Sequence, residues 1–275
     1  TESVSTTVAH VIAAAEQLWP ASGAEDWDAV GLVAGDLDAP VSRISLAVDA
    51  VLDTVDEAIA DDADMLITHH PLLLRGVTSV ASDRYKGAVL TKLIRAECAL
   101  LAAHTNADVV ETGTSGRFAT KLGLSSIAPI VPGQTADRGI GRIGQLPEAM
   151  TLGRLARLIG EIVPATATGI RVAGDFDQVV RSVALCGGAG DAYLNHPAVV
   201  ASDVYITSDL RHHPASEARE NARLMNGPAL IDVSHWASEW LWLDAAAEEL
   251  RALLPDVTIT VSELRTDPWD FAVVQ

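Results

Sequence analysis

Six times along this chain a short apolar run stops abruptly at a polar residue. Ile44–Val48 stops at Asp49, Met65–Thr68 at His69-His70-Pro71, and Ala99–Ala103 at His104. Val183–Cys186 stops at the glycines that begin with Gly187, Val204–Thr207 at Ser208-Asp209, and Ala229–Val233 at Ser234-His235. Runs without polar alternation suit strands buried on both faces, as in a mainly parallel sheet. Helix-like stretches separate them, most clearly Thr54–Ala60, Tyr85–Glu97, Leu152–Ile162, Ala215–Leu224 and Trp236–Leu253. The fold class expected is therefore α/β, with mainly parallel or mixed sheets flanked by helices. In such folds ligands sit beyond the carboxyl ends of the strands, where this chain places its polar stops.

The chain has 275 residues, 49% of them hydrophobic, enough for one large core or two lobes. A Gly- and Pro-rich stretch at Pro129–Gly144 lacks apolar periodicity and predicts the crossing between lobes. The lobes expected are 1–130 and 131–275, the second returning His235 and Glu239 to a shared site. Val257–Val261 alternates like a last strand, and Asp267-Pro268-Trp269 breaks it. Val4, Val8, Val11, Ile12 and Leu18 suit an amphipathic helix better than a signal peptide.

The net charge of −18 repels phosphate backbones and argues against general nucleic-acid binding. Cys98 and Cys186 are the only cysteines, too few for a disulfide framework or a Cys-type zinc site. A reducing, cytoplasmic setting is expected, with no membrane partner, because no run is long and apolar enough to span a bilayer.

Six of the eight histidines, His69, His70, His104, His212, His213 and His235, fall at or just past predicted strand ends. Adjacent side chains on a strand face opposite ways, so His69 and His70 share a site only where the backbone turns. Pro71 holds His70 extended and stops further pairing, although a strand-end histidine pair also serves purely structural ends. Asp108, just past the Ala99–Ala103 run, is a hard ligand by type, and equally a turn or cap residue. His235 and Glu239 stand at i and i+4, on one face of a predicted helix, as metal ligands or as a surface pair. Taken together, these groups offer only nitrogen and oxygen, which suits Zn, Mn, Fe(II) or Ni. Five protein ligands for two divalent ions leave positions open for water, the mark of a reactive site.

Weaker candidates accompany them. Cys186-Gly187-Gly188-Ala189-Gly190 offers backbone N–H groups to a phosphate, or serves as a tight strand–helix turn. It lacks the Lys-Ser/Thr of a P-loop. Cys186 itself, at a buried strand end, is expected to be inert. Asp209, His212 and His213 fit a second layer around the metals, a proton relay, or a helix start with Pro214 in its first turn.

Motifs along nearly the whole chain resemble the type 2 GTP cyclohydrolase I homolog family, also called the Nif-three-like family. They are Trp27-Asp28-Ala-Val-Gly31-Leu32, Thr68-His69-His70-Pro71, His104-Thr105-Asn106-Ala107-Asp108, Gly141-Arg-Ile-Gly144, Cys186–Gly190, Asp209 with His213, and His235-Trp-Ala-Ser238-Glu239. The resemblance implies the two-lobed fold and the metal ligands His69, His70, Asp108, His235 and Glu239. It also implies assembly with itself as a ring-shaped homohexamer, a trimer of dimers, without the inserted domain of longer members. Ser234 and Ser208 stand where the family has Gly, His212 where Tyr is common, and Gly113-Thr-Ser departs from a Gly-rich turn. These departures are expected to touch the pocket wall and not the ligands.

Three functions fit these residues. The first is a metal-dependent hydrolase with a metal-activated water as nucleophile, His104 or His213 moving the proton, and Gly187, Gly188 and Asp209 binding substrate. The family name implies a nucleotide, opened at its purine ring. The second is a metal-handling or partner-docking ring without turnover. The third is another hydrolase, acting on a phosphoester or cyclic amide.

Overall fold

A computed structural model describes residues 5–275; Val4 of the predicted first helix lies outside them. The chain forms two compact units. Unit one joins the residues up to Ala107 with Leu243–Thr266, and unit two joins Asp108–Trp242 with Asp267–Gln275.

Unit one is an α/β layer. Helix α1 (Val8–Leu18) precedes strands β1 (Gly31–Ala34) and β2 (Arg43–Ala47). Helix α2 (Leu52–Ala60), β3 (Met65–Thr68), α3 (Tyr85–Arg95) and β4 (Ala99–Ala102) follow. The helical turn α4 (Thr105–Asp108) closes this stretch and carries the chain toward unit two. The sheet order is β1-β4-β3-β2, flanked beyond β2 by β13 (Thr258–Val261), with β1 antiparallel and the rest parallel. All four residues of β3 and of β4 are buried, which is why these runs carry no polar alternation. Val55 and Ala58 of α2 and Val89 and Leu93 of α3 pack on Leu66 and Leu100. Each fully buried Val or Leu among them contributes roughly 1.5–3 kcal/mol.

Unit two is built on a mixed sheet. Helix α5 (Thr114–Lys121) and β5 (Ser125–Ala128) lead to a small hairpin, β6 (Val131–Pro132) with β7 (Gly139–Ile140). Next come β8 (Arg142–Thr151), α6 (Leu152–Ile162), β9 (Arg171–Ala173), β10 (Val179–Ala189), α7 (Pro197–Val200) and β11 (Val204–Ser208). Helix α8 (His212–Met225), β12 (Ala229–Asp232) and α9 (His235–Trp240) complete it. The sheet order is β5-β8-β10-β11-β12-β9, and its centre, β10-β11-β12, is parallel. Phe118, Leu146, Leu152, Leu155, Val183, Ile206 and Ile231 lie in its core.

Two expectations change here. The division falls at Ala107/Asp108 and not near residue 130. The Gly- and Pro-rich stretch is spent inside unit two on the β6–β7 hairpin, where Gly139 and Gly141 take positive φ of 156° and 63°. A Cβ on Gly139 would lie 2.2 Å from the Val131 carbonyl oxygen, so the tight turn excludes any side chain. The single helix expected over Trp236–Leu253 is two, broken at Leu241, with α10 (Trp242–Leu253) leading back into unit one. Among the described residues no helix is long and apolar enough to cross a membrane.

Candidate metal centre

Strands β2, β3 and β4 end side by side, and their ends deliver Asp49, His69, His70 and His104. The ladder continues one step past β3: the N–H groups of His69 and His70 donate to the carbonyls of Ala47 and Val48, at 3.1 and 2.9 Å. The Thr68 hydroxyl donates to the His70 carbonyl at 2.9 Å and stiffens the turn. The imidazoles of His69, His70 and His104 form a triangle with ring centroids 5.0, 5.1 and 5.4 Å apart. One nitrogen from each lies within 4.8 Å of the others, close enough to hold one cation.

The outward nitrogen of each ring is fixed. His69 Nδ1 lies 2.8 Å from the Ala103 carbonyl oxygen, an atom that only accepts, so Nδ1 carries the proton. His70 Nδ1 donates to Asp49 at 2.7 Å, and His104 Nδ1 donates to Asp28 at 2.8 Å. With Nδ1 protonated in a neutral ring, each Nε2 presents a lone pair, the form a metal requires. The donor set therefore fits a divalent ion of intermediate softness.

Asp28 is the most engaged of these supports, and its side chain is fully buried. Its oxygens accept from Ala29 N–H, His104 Nδ1, Thr105 N–H and the Thr105 hydroxyl. Burial alone would raise its pKa, but the bonds from Thr105 and His104 outweigh it and hold the carboxyl below the usual range. Asp49 is braced in turn by the Thr266 hydroxyl at 2.5 Å.

Unit two repeats this logic at the ends of β11 and β12. His235 and Glu239 lie one turn apart on α9, with His235 Nε2 3.1 Å from Glu239 Oε1. His235 Nδ1 bonds Asp209 at 2.7 Å, and Asp209 reaches it from the left-handed region, at φ 57°. Burial disfavours the charged ring, yet Glu239 and Asp209 push the His235 pKa up to about 11. A cation arriving at Nε2 therefore displaces a proton. Asp108 accepts from the Thr114 hydroxyl at 2.5 Å. The segment that follows Asp108 is gripped by the buried Arg142, whose guanidinium donates to the carbonyls of Val109, Val110, Gly139 and Gly141.

The Cys186–Gly190 stretch is expected from its sequence to be a phosphate cradle or a tight turn; the N–H groups of Gly187 and Gly188 donate to Ser115 and Ser238, each at 3.0 Å. Gly188 sits at φ 71°, and a Cβ there would lie 2.4 Å from Glu239 Oε1 and 3.0 Å from His235 Nε2. The glycine leaves room for the two candidate ligands. Asp209, expected among the substrate-binding residues, holds His235 through its Nδ1. His213 is exposed on α8, its ring 5.1 Å from that of His212. His212 lines a cavity of about 470 Å³ with Arg171, Arg211 and Arg219.

The departures from the family pattern also reach further than the pocket wall. Thr114 bonds Asp108 directly. Ser234 caps α9 by accepting from Ala237 N–H at 3.2 Å, and donates to Asp267 at 2.6 Å. Sequence reasoning missed Asp28, Asp49 and Arg142 as supports. All three had a visible signal: Asp28 and Arg142 lie inside quoted motifs and Asp49 at a strand end.

The model of the family described as Duf34/NIF3 (NGG1p interacting factor 3) matches residues 6–268. A "GTP cyclohydrolase 1 type 2 homolog" of Streptomyces coelicolor is 46% identical, over 95% of this chain and 93% of that protein. One of Clostridium perfringens is 30% identical over 93% and 96%. Among solved structures, a Bacillus cereus protein related to NIF3 superposes with a TM-score of 0.88 at 24% identity, covering 98% of this chain and all of that one. A Staphylococcus aureus hypothetical protein gives 0.87 at 27% identity, with the same coverage. With a family model matching residues 6–268 and a relative 46% identical over 95% of the chain, the chain belongs to the Duf34/NIF3 family.

Proposed function

We propose that this chain holds two divalent metal ions with His69, His70, Asp108, His235 and Glu239 and is a metal-dependent hydrolase. The observation that carries the reading is the fixed tautomer of the candidate imidazoles. His69, His70 and His104 are each anchored through Nδ1 to an acceptor, and His235 is anchored in the same way in unit two. Such anchoring orients metal-binding histidines and raises their basicity.

Bound ions would supply Lewis-acid polarisation and lower the pKa of a coordinated water. The protein's own groups do the rest. Asp28 stabilises a protonated His104, so this imidazole takes up and returns a proton beside the centre. Asp209 and Asp49 keep His235 and His70 from rotating. Thr114 fixes the Asp108 carboxylate, and Gly188 keeps the space around Glu239 clear.

The relatives' name directs the first substrate panel to GTP and other nucleotides. Elemental analysis of purified protein beside His235→Ala tests the centre. About two metals per chain, reduced in the variant, are expected. Turnover of the panel by metal-loaded protein beside Glu239→Ala tests the chemistry. Metal without turnover above that control favours a metal-handling protein instead. Little metal after reconstitution sinks both readings. Light scattering tests the homohexamer.

A further inference from the structure

Trp27 is 60% exposed, although the same chain buries Trp19 and Trp242 to 1%. Looseness of its loop does not explain that exposure. Glu25 N–H donates to the Thr105 hydroxyl at 2.9 Å, and the adjacent Asp28 accepts four bonds, from Ala29, His104 and Thr105. The loop is clamped on both sides of the indole. The ring is also set against the histidine triangle: its centroid lies 5.9 Å from that of His104, with the planes 78° apart. An edge-on contact of this kind leaves indole surface open beside the cluster. A rigid, solvent-facing indole next to candidate metal ligands has the features of a stacking platform, since every flat heterocycle offers a π-face. Glu25 and Asp26, both exposed on the same loop, add acceptors that favour a ring carrying N–H donors over a bare phosphate.

We infer that Trp27 is the platform on which a flat nitrogen heterocycle with N–H donors, of the guanine or pterin class, stacks beside the His69–His70–His104 cluster. The inference rests on the reading of that cluster as a metal centre and names the class of molecule it receives.

The test uses the full chain loaded with metal. Wild type, Trp27→Phe and Trp27→Ala are titrated calorimetrically with guanosine, with neopterin and, separately, with inorganic triphosphate. Metal content and assembled mass are measured on each sample. At least one of the two ring compounds is expected to bind wild type and Trp27→Phe within about 3-fold of each other. The same compound is expected to bind Trp27→Ala roughly 10-fold or more weakly, the size of base–aromatic stacking. Triphosphate affinity, metal content and mass should be equal in all three. Failure of both ring compounds to bind wild type overturns the inference, as does undiminished binding by Trp27→Ala. A changed mass in Trp27→Ala overturns it in favour of a subunit contact. Ring binding by a wild type that holds no metal sinks the metal reading alone and supports the platform.

Discussion

Gly188→Ala tests the local geometry of unit two most sharply. The residue sits at φ 71°, a conformation that costs an L side chain roughly 1–2 kcal/mol. The added Cβ would stand 2.4 Å from Glu239 Oε1. That carboxylate belongs to a residue only 3% exposed, so it has little room to retreat. Forcing it off its rotamer adds about 0.5–1.5 kcal/mol. The combined loss is roughly 2–3 kcal/mol, which for a chain of this size lowers Tm by about 5–10 °C. Gly187→Ala is the comparison. Its Cβ would meet Thr114 at 3.3 Å, and the residue has no positive φ, so a much smaller shift is expected. Differential scanning calorimetry of the metal-free proteins measures both, and chelator competition on loaded protein reads the displaced Glu239 as weakened metal binding. A Gly188→Ala protein within about 1 °C of wild type, with undiminished metal affinity, would refute the argument.

Other outcomes follow from the same structure. Asp49→Asn and Asp209→Asn each exchange the charged partner of a proposed ligand, His70 or His235, for a neutral one. Metal affinity by competition titration should fall about 10- to 100-fold while the far-UV spectrum stays the same; unaltered affinity would show that these carboxylates do not support ligands. Ser234→Ala removes the cap of α9 and the bond to Asp267, and should cost about 1 kcal/mol in urea denaturation, a loss Ser234→Asn should largely avoid. Burial pushes the Cys98 and Cys186 thiols up to about 12, with Asp64 adding to the first and Asp108 and Glu239 to the second. Native protein at pH 8 should therefore leave both unmodified by a thiol reagent that labels both in denaturant; rapid native labelling would contradict the packing. The folded state keeps these protons more tightly than the unfolded chain, so the associated stability is complete below about pH 8.5 and is lost as pH climbs toward 12.

Much of this fold was written locally. The polar stops after Val48, Thr68, Ala103 and Val233 marked strand ends because a run buried on both faces tolerates no polar residue until it leaves the sheet. The i,i+4 spacing placed His235 and Glu239 one turn apart on a helix before any tertiary contact was known, since helical periodicity belongs to the sequence. The residue types at these ends, imidazole and carboxylate without thiolate, already limited which cations could bind.

Tertiary structure decided what lies far apart in sequence. Residues 243–266 return to unit one, where β13 pairs with β2 across more than half the chain. Asp28 meets His104 across 76 positions, and Asp49 meets Thr266 across 217. The glycines after Cys186 suit an anion cradle or a tight turn by type alone; that Ser115 and Ser238 take the N–H groups of Gly187 and Gly188 is tertiary information. Periodicity reports which face of an element is buried; it carries no address for the partner. Which aspartate steadies which histidine, and which serine satisfies which amide, is set by the closure of long loops around a common core.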